Sequence, residues 1–427
     1  MLPRRPRLGS EGLGPGLVRP AVIGVLGQER RPGRSRVGSG GTGWSDSQGA
    51  LPANGAEDAK LTGVSCPSAS QCVVVGNALT ATIAGTQTPL LLTGSGQSWT
   101  AEQGPAPADA TGYTMGAVDC PSASECIAVG VGEFTDDNPV RYGPVVLTDT
   151  DGSWSAARVQ LPAAIDSGLS MTITGVSCPS VSLCFATGWY QDSSNDTAEH
   201  GLLLEWSDGS WTAMEAPLPA GADSSASVSL SGVSCPSVSL CFATGDYIPD
   251  SGVKGLLLTW SGGSWTGGYT PLPSDAVTNA EFISDLSGVS CPSPSNCVAV
   301  GYYYNNTSGA QNGLVVTWSG DSWTAAGAPQ SADAASDIAV LSAVSCASAT
   351  QCAALGRNSS GPALLTLSGG SWTATPLPLP SNYNTGWGTD DYDLGGISCP
   401  AASQCLAVGD YGDTNNDVDE LLMTGPS

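Results

Sequence analysis

Seven cysteine pairs of one spacing divide this chain of 427 residues into similar parts. Each pair reads C-x5-C, and the pairs recur about every 55 residues and use all 14 cysteines. A fixed period of this length is typical of small β-sheets that bury one another's faces in a ring or array. The repeat therefore predicts one continuous architecture instead of several separate domains. The pairs are Cys66 with Cys72, Cys120 with Cys126, Cys178 with Cys184, Cys235 with Cys241, Cys291 with Cys297, Cys346 with Cys352, and Cys399 with Cys405.

The copy that begins at Leu230 shows the repeating unit most clearly. LSGVS predicts strand A, ending at the first cysteine, and a five-residue turn leads to strand B, CFATG. A variable polar loop precedes strand C, GLLLTW, and a short SGGS hairpin leads to strand D, which starts at Trp265. Since helical apolar periodicity is absent, the chain is predicted to be all-β: a seven-bladed β-propeller with four antiparallel strands per blade.

The two chain ends predict how the ring closes. The seventh copy stops after strand C, at LLMTGPS, while GWSDSQGALP near the N-terminus aligns with the strand D of the third copy, GSWTAMEAPLP. Trp44 is therefore expected to bring an N-terminal strand beside Leu421 to Met423 and complete the last blade, which protects the sheet edges. The alternative is a stray aromatic residue in a linker. The other strand D tryptophans are Trp99, Trp154, Trp211, Trp265, Trp323 and Trp372.

The repeat resembles the bacterial propellers built of BNR or Asp-box-like repeats, a superfamily with sialidase-type and photosystem-assembly-factor-type rings. The resemblance lies in strand A, the C-x-A-V-G of strand B (Cys297 to Gly301), an apolar strand C and a glycine turn into tryptophan. It covers residues 43–427. The turns, such as DGSW at Asp151 to Trp154, are shorter than a true Asp-box. Similar cysteine-paired repeats occur in exported proteins of high-GC Gram-positive bacteria, which implies a secreted bacterial protein.

Sialidases of that superfamily hold the substrate carboxylate with three arginines. From residue 44 onward this chain has five basic residues, and no single copy carries three of them. The resemblance therefore does not extend to sialidase activity. These residues are Lys60, Arg141, Arg158, Lys254 and Arg357.

The cysteines also predict the compartment. In every copy they lie opposite each other across a hairpin, within reach of a disulfide. Closing so short a loop stabilises the fold by roughly 2 kcal/mol in the chain-entropy model. Zinc ligation is the competing interpretation, but the chain has one histidine and lacks C-x2-C pairs. Seven disulfides indicate an oxidising environment, so we expect an extracellular or cell-surface location.

Charge and hydropathy restrict the classes of partner that we expect. Residues 1–42 are rich in arginine, glycine and proline and are predicted to be disordered or a cryptic export segment. Residues 44–427 carry five basic and 36 acidic residues, a net charge of −31. A phosphate backbone would be repelled, so nucleic acid is not an expected partner. No apolar run is long enough for a transmembrane segment, and we expect a monomer.

A binding face is predicted where the repeats differ. The A–B and C–D turns are short and uniform, whereas the B–C and D–A connections vary, and all 11 tyrosines are assigned to those connections. Aromatic residues and carboxylates recur just after strand B and are expected to ring one mouth of the central channel. The candidate ligand-binding residues are Trp189, Tyr190, Asp246, Tyr247, Tyr302, Tyr303, Trp387, Asp410 and Tyr411.

Aromatic faces with carboxylates and few cations suit neutral polyhydroxylated ligands, and they suit cations too. The leading hypothesis is a non-catalytic extracellular propeller that binds a glycan or an extracellular protein. The tyrosines could instead merely fill gaps between blades. A glycoside hydrolase or polysaccharide lyase would need one carboxylate pair on the same face, which the sequence does not locate. A structural interaction scaffold is the third hypothesis.

One acidic loop is a candidate calcium site, the single cofactor considered. Asp413, Asn415, Asp417 and Asp419 place oxygen ligands at alternate residues, as calcium loops do. The sixth-position glycine is replaced by Val418, and the twelfth-position glutamate is missing. The alternative is a solvated acidic loop.

Overall fold

A computed structural model gives the structure of this protein. Residues 1–42, for which a disordered or export segment is predicted, lie outside the described residues, and so does Trp387. The structure describes residues 43–47, 56–80, 87–96, 98–134, 141–162, 165, 170–192, 198–249, 252–277, 284–329, 338–358, 361–384, 392–415 and 417–426.

The described residues form seven antiparallel sheets of four strands and contain no helix, which confirms the predicted fold class. Each sheet is one blade, and its strands A to D follow chain order. Blade 1 contains β2 (Ala56–Ser68), β3 (Gln71–Thr80), β4 (Gln87–Ser95) and β5 (Ser98–Gln103). Blade 2 contains β6 (Ala110–Ser122), β7 (Glu125–Phe134), β8 (Arg141–Thr150) and β9 (Ser153–Arg158). Blade 3 contains β10 (Ser170–Ser180), β11 (Leu183–Gln191), β12 (His200–Ser207) and β13 (Ser210–Glu215).

The remaining blades repeat this order. Blade 4 contains β14 (Ser227–Ser237), β15 (Leu240–Ile248), β16 (Lys254–Ser261) and β17 (Ser264–Tyr269). Blade 5 contains β18 (Ser284–Ser293), β19 (Asn296–Tyr304), β20 (Gln311–Trp318) and β21 (Trp323–Gly327). Blade 6 contains β22 (Val340–Ser348), β23 (Gln351–Asn358), β24 (Gly361–Ser368) and β25 (Ser371–Pro376). Blade 7 contains β26 (Tyr392–Ala401), β27 (Gln404–Gly412), β28 (Val418–Gly425) and β1 (Ser45–Ser47).

The ring closes between the two chain ends, as predicted. Strand A of each blade contacts strand A of the next, and β26 contacts β2, so the first strands form the inner circle. Ser45 and Asp46 of β1 pair with Thr424 and Met423 of β28. Trp44 is 2% exposed, and its indole Nε1 donates to the carbonyl of Pro426 at 3.1 Å. The N-terminal strand therefore completes the last blade.

The A–B hairpins are tighter than predicted. In blade 4, strand A continues through Cys235 to Ser237, and strand B starts at Leu240, so the turn has two residues instead of five. The cysteines thus lie within paired strands, with 3.9–4.1 Å between the Cα atoms of each pair. All seven predicted disulfides form, and no cysteine of the described residues is free.

The second cysteine of every pair is a core residue, which the sequence analysis did not predict. Cys126 and Cys184 are each 1% exposed, and Cys405 is 0% exposed. Each of these three belongs to a cluster of buried apolar side chains between two blades. They are therefore structural residues that a ligand or a metal ion does not reach, and their sulfur atoms add to the packing as well as to the cross-link. The equivalent residues Cys72, Cys241, Cys297 and Cys352 are buried too.

A circle of side-chain hydrogen bonds joins the blades beside these disulfides. The residue before the first cysteine of one blade accepts a hydrogen bond from the backbone N–H of the first cysteine in the next. Ser65 accepts from Cys120, and Ser398 closes the circle by accepting from Cys66, both at 3.0 Å. The acceptor is serine in every blade except blade 2, where Asp119 accepts from Cys178 at 2.7 Å. The other acceptors are Ser177, Ser234, Ser290 and Ser345.

The core lies between the blades. Each of the seven neighbouring pairs of blades encloses its own cluster of buried apolar side chains. Blade 7 meets blade 1 through Leu406, Val408 and Leu422 against Leu61 and Val74, in the same manner as the interior pairs. A single blade cannot bury both of its faces, so the hydrophobic energy of this fold belongs to the closed ring.

Candidate functional site

The glycine after the apolar run of strand B positions the predicted site. A Cβ on Gly245 would lie 2.0 Å from the carbonyl oxygen of Ser229 in strand A, and one on Gly301 would lie 2.0 Å from that of Asp285. Strand A has a bulge next to this point, which shifts the register between Leu230 and Gly232. Only glycine leaves room for the bulged strand, so this glycine holds strand B in register. Because side chains alternate along a strand, the next two residues then point in opposite directions.

The first residue after this glycine turns its side chain toward the next blade, and we term it the forward position. In blade 1, Asn77 Oδ1 accepts from the N–H of Met115 in blade 2 at 2.8 Å. In blade 7, Asp410 Oδ2 lies 3.4 Å from Lys60 Nζ in blade 1. The seven forward residues are Asn77, Val131, Trp189, Asp246, Tyr302, Arg357 and Asp410.

The second residue, in the rear position, faces the previous blade and is buried in all seven blades. Tyr247 is 2% exposed and packs in the cluster that blades 3 and 4 share, where its hydroxyl accepts from the N–H of Asp223 at 2.6 Å. The hydroxyl of Tyr303 donates to the carboxylate of Asp275. The rear residues are Ala78, Gly132, Tyr190, Tyr247, Tyr303, Asn358 and Tyr411.

The structure thus separates the predicted residues into two sets. Tyr190, Tyr247, Tyr303 and Tyr411 are buried between blades. Trp189, Asp246 and Tyr302 are half-buried forward residues of three consecutive blades, while the forward residue Asp410 is buried and paired with Lys60.

The assignment of every tyrosine to a connection was wrong. Most of the described tyrosines lie in strands: Tyr113 in β6, Tyr142 in β8, Tyr269 in β17 and Tyr392 in β26, besides those at the end of strand B. Strand B is longer than the predicted CFATG, because the aromatic residues after it continue the pairing with strands A and C. A strand fixes the direction of each side chain, so only alternate residues are available to a ligand.

In two places the forward residue is an aspartate, and the charge that faces it is positive in one place and negative in the other. Between blades 7 and 1, Asp410 faces Lys60. Between blades 4 and 5, Asp246 faces Asp285, the strand A residue that corresponds to Lys60 in the repeat. Burial raises the pKa of Asp246 to about 7, and the negative charges of Asp285 and Glu199 add to the effect. Burial also raises the pKa of Asp285, whose buried Oδ1 has no hydrogen-bond partner in the described part of the chain.

Tyr302 belongs to the same electrostatic group. Burial raises its pKa to about 12, with further contributions from the charges of Asp285, Tyr304 and Asp246. We refer to Trp189, Asp246, Asp285 and Tyr302 as the acidic–aromatic arc. Sequence reasoning missed Asp285 and Glu199, although aligning SDLSGVSC with SLSGVSC would have placed Asp285 at the strand A position that faces the forward residue.

The candidate calcium loop uses its oxygens internally. Asp413 Oδ1 accepts from the backbone N–H groups of Asn415 and Asp417, at 2.7 and 3.0 Å, and its Oδ2 accepts from the Asn415 side chain at 2.8 Å. Asp419 Oδ2 accepts from the hydroxyl of Tyr411 at 3.2 Å. Among the described residues no three acidic, histidine or cysteine side chains converge as metal ligands. These hydrogen bonds hold the loop from within, and the calcium site stays a prediction.

The opposite face of the ring, where the turns are uniform in sequence, has cavities that the sequence did not predict. Two cavities, of about 510 and 340 Å³, open beside the C–D turn of blade 2, and Asp149 lines both. Tryptophans of blades 2 and 3 line them as well: Trp154 in the larger cavity, and Trp206 and Trp211 in the smaller. In the sequence, the available signal for these cavities was a single residue, such as Asp149, that differs from its equivalents in the other blades.

Comparisons with known proteins find solved structures of low sequence identity. No protein-family model and no curated protein matches the sequence. A Dyadobacter fermentans protein of unknown function aligns over 90% of this chain and 100% of its own, with 11% identity and a TM-score of 0.44. The β-propeller domain of the Trilobed protease from Pyrococcus furiosus aligns over 86% and 95%, with 9% identity and a TM-score of 0.47. The polysaccharide lyase Uly1 aligns over 88% and 90%, with 8% identity and a TM-score of 0.49. Identities this low carry no information about activity.

The described residues were also compared with the requirements for crossing a membrane as a helix. None of them forms a helix of sufficient length and apolar character to do so.

Proposed function

We propose that this protein is a non-catalytic binding propeller of the extracellular space or cell surface, and that it recognises a glycan through the acidic–aromatic arc. The observation that supports this most is the forward position of blades 3 to 5, where an indole, a carboxyl group and a phenol follow one another at equivalent sites. Seven disulfides fit an oxidising compartment.

The chemistry of the arc suits a hydroxylated ligand. Trp189 and Tyr302 offer aromatic surface, with a polar atom at the ring edge, to the apolar face of a sugar. With a pKa of about 7, Asp246 is protonated in part of the molecules at neutral pH, so its carboxyl group can donate or accept a hydrogen bond. The arc holds no cation, unlike the corresponding site between blades 7 and 1, where Lys60 Nζ lies 3.4 Å from Asp410 Oδ2.

A glycan array probed with the full, oxidised chain tests this function. We expect a specific glycan whose affinity falls at least about tenfold, equivalent to 1.4 kcal/mol, in Trp189→Ala and in Tyr302→Ala. Tyr303→Phe is the matched control, because it keeps the buried ring of the adjacent residue and should leave glycan binding unchanged. Absence of any glycan ligand, or equal loss in the control, would count against the proposal.

The carboxylate pair supports a second candidate, a glycoside hydrolase or polysaccharide lyase. Asp246, with its raised pKa, would act as the acid, and Asp285 would be the partner carboxylate. Turnover of a polysaccharide panel, lost in Asp246→Asn and retained in Asp393→Asn, would favour catalysis. Asp393 is the fair control because it occupies in blade 7 the strand A position of Asp285. Glycan binding without turnover would reject catalysis and support the binding function.

A further inference from the structure

Blade 2 lacks two aromatic side chains that blades 3 and 4 carry, and a cavity lies between blade 2 and blade 3. In blade 3, Phe185 of strand B packs against Trp260 and Trp265 of blade 4, with ring centroids 4.9 and 5.3 Å away. Phe242 makes the same contacts with Trp318 and Trp323 of blade 5. Blade 2 has Ile127 at this position, which is too small to fill the space before the tryptophan pair of blade 3.

The smaller side chain leaves a cavity of about 340 Å³ with an aromatic wall. Trp206 and Trp211 form that wall; both are half-buried, with ring centroids 5.8 Å apart and planes inclined by 45°. The corresponding pair in blade 4, Trp260 and Trp265, is buried under Phe185. The indole faces of blade 3 are therefore available where those of blade 4 are covered.

The second difference places a carboxylate beside the aromatic wall. In blades 3, 4 and 5, strand C has a tryptophan paired with the second cysteine of the blade, but the residue at this position in blade 2 is Asp149. Asp149 is 8% exposed; the backbone N–H of Gly152 donates to its carboxyl group, but its buried Oδ1 has no hydrogen-bond partner among the described residues. A buried polar atom without a partner is costly, which indicates that something else supplies one.

The charge around the cavity has one sign. Glu125 lines it together with Asp149, and Asp151 and Glu102 line the larger cavity on the other side of Asp149. Among the described residues that line the two cavities there is neither lysine nor arginine. Aromatic faces beside carboxylates, without a competing cation, form the environment that binds an organic ammonium ion.

From these residues we propose that the cavity between blades 2 and 3 binds an alkylammonium group, with Trp206 and Trp211 against its carbon atoms and Asp149 and Glu125 as its counter-charges. The ligand is either a primary ammonium, as in a lysine side chain, or a quaternary ammonium, as in choline. The site lies at the A–B and C–D turns, on the face opposite the acidic–aromatic arc, and is independent of glycan binding.

Isothermal titration of the full, oxidised chain with four small molecules tests the proposal. The probes are Nα-acetyl-lysine methylamide, choline, and the neutral carbon analogue of each, in which carbon replaces the charged nitrogen. We expect one of the two cations to bind in the millimolar range or tighter, and the better cation identifies the source of the ammonium group. Binding of neither cation, or equal binding of its neutral analogue, would overturn the proposal.

Two variants separate the site from general electrostatics. Ile127→Phe should fill the cavity as Phe185 and Phe242 fill the equivalent spaces, and should abolish binding without changing a charge. Asp149→Asn should weaken cation binding at least about tenfold. Asp208→Asn is the matched control, because it removes a charge from the C–D turn of blade 3 outside the cavity, and should have no effect. Unchanged binding in Ile127→Phe, with its fold verified by thermal melting, would overturn the assignment.

Discussion

Asp246 and Asp410 occupy the same position in two blades, yet they meet opposite partners. Burial raises the pKa of both groups from the ordinary value of 3.8: to about 6 for Asp410, which pairs with Lys60, and, opposite Asp285, to about 7 for Asp246. A carboxyl group with a raised folded-state pKa contributes stability at low pH that is lost as pH rises through that value. We therefore expect the unfolding free energy to fall between pH 4 and 7 because of this residue.

Asp246→Asn checks that sign. The variant should be more stable than the parent at pH 8, by roughly 2 kcal/mol, and should lose this advantage near pH 4, where the parent carboxyl group is protonated. Urea unfolding at the two pH values measures the difference. A parent that gains stability relative to Asp246→Asn as pH rises would contradict the account of the pair.

Asp119 is an acidic residue at a position where the other six blades have serine. It replaces serine in the circle of inter-blade hydrogen bonds, and burial raises its pKa although the N–H of Cys178 donates to it. Asp119→Ser restores the repeat and removes a poorly solvated charge, so we expect it to stabilise the protein by about 1 kcal/mol at pH 8 and by less at low pH.

Ser234→Ala is the comparison for that substitution. It removes the acceptor for the N–H of Cys291 and should destabilise by about 1–2 kcal/mol at either pH, because a buried donor is left without a partner. Urea unfolding of both variants measures the two effects. If Asp119→Ser destabilises as much as Ser234→Ala does, the carboxylate is the better acceptor and the burial argument is wrong.

At the scale of strands and hairpins, the sequence predicts where each blade lies but not which way each side chain of the site points. The cysteine period and the apolar runs locate every blade, because they report burial between blades and pairing within hairpins. The site residues were harder to place: Tyr302 and Tyr303 are neighbours in sequence, but one faces the next blade and the other is 2% exposed. The bulge in strand A sets that alternation, and its position depends on strand pairing that a single repeat does not reveal.

The disulfide of each A–B hairpin belongs to the element scale as well. Replacing Cys235 and Cys241 together by alanine frees one hairpin of blade 4, and the chain-entropy model predicts a loss of roughly 2 kcal/mol. Urea unfolding measures the loss, and the same replacement of Cys346 and Cys352 in blade 6 is the control for position in the ring. A far larger loss at one site would show that the sulfur atoms matter mainly through packing between blades.

At the scale of the whole molecule, stability depends on a three-residue strand. All seven clusters lie between blades, so a ring that opens between β1 and β28 exposes apolar surface on blade 7. Trp44 anchors that strand over Gly425, where a Cβ would lie 2.3 Å from the indole ring. Trp44→Ala is expected to cost about 3 kcal/mol or more, and Gly425→Ala should also destabilise by displacing the indole.

Trp99→Ala provides the comparison, because Trp99 starts strand D of blade 1 but is partly exposed and belongs to a blade of continuous chain. Thermal melting should show a larger loss for Trp44→Ala than for Trp99→Ala, and limited proteolysis should cut the Trp44 variant near the last blade first. Among the described strands, β1 alone joins a blade from the far end of the sequence, so its loss opens the ring, whereas the loss of Trp99 weakens one interface. Equal losses would mean that closure contributes no more than ordinary blade packing.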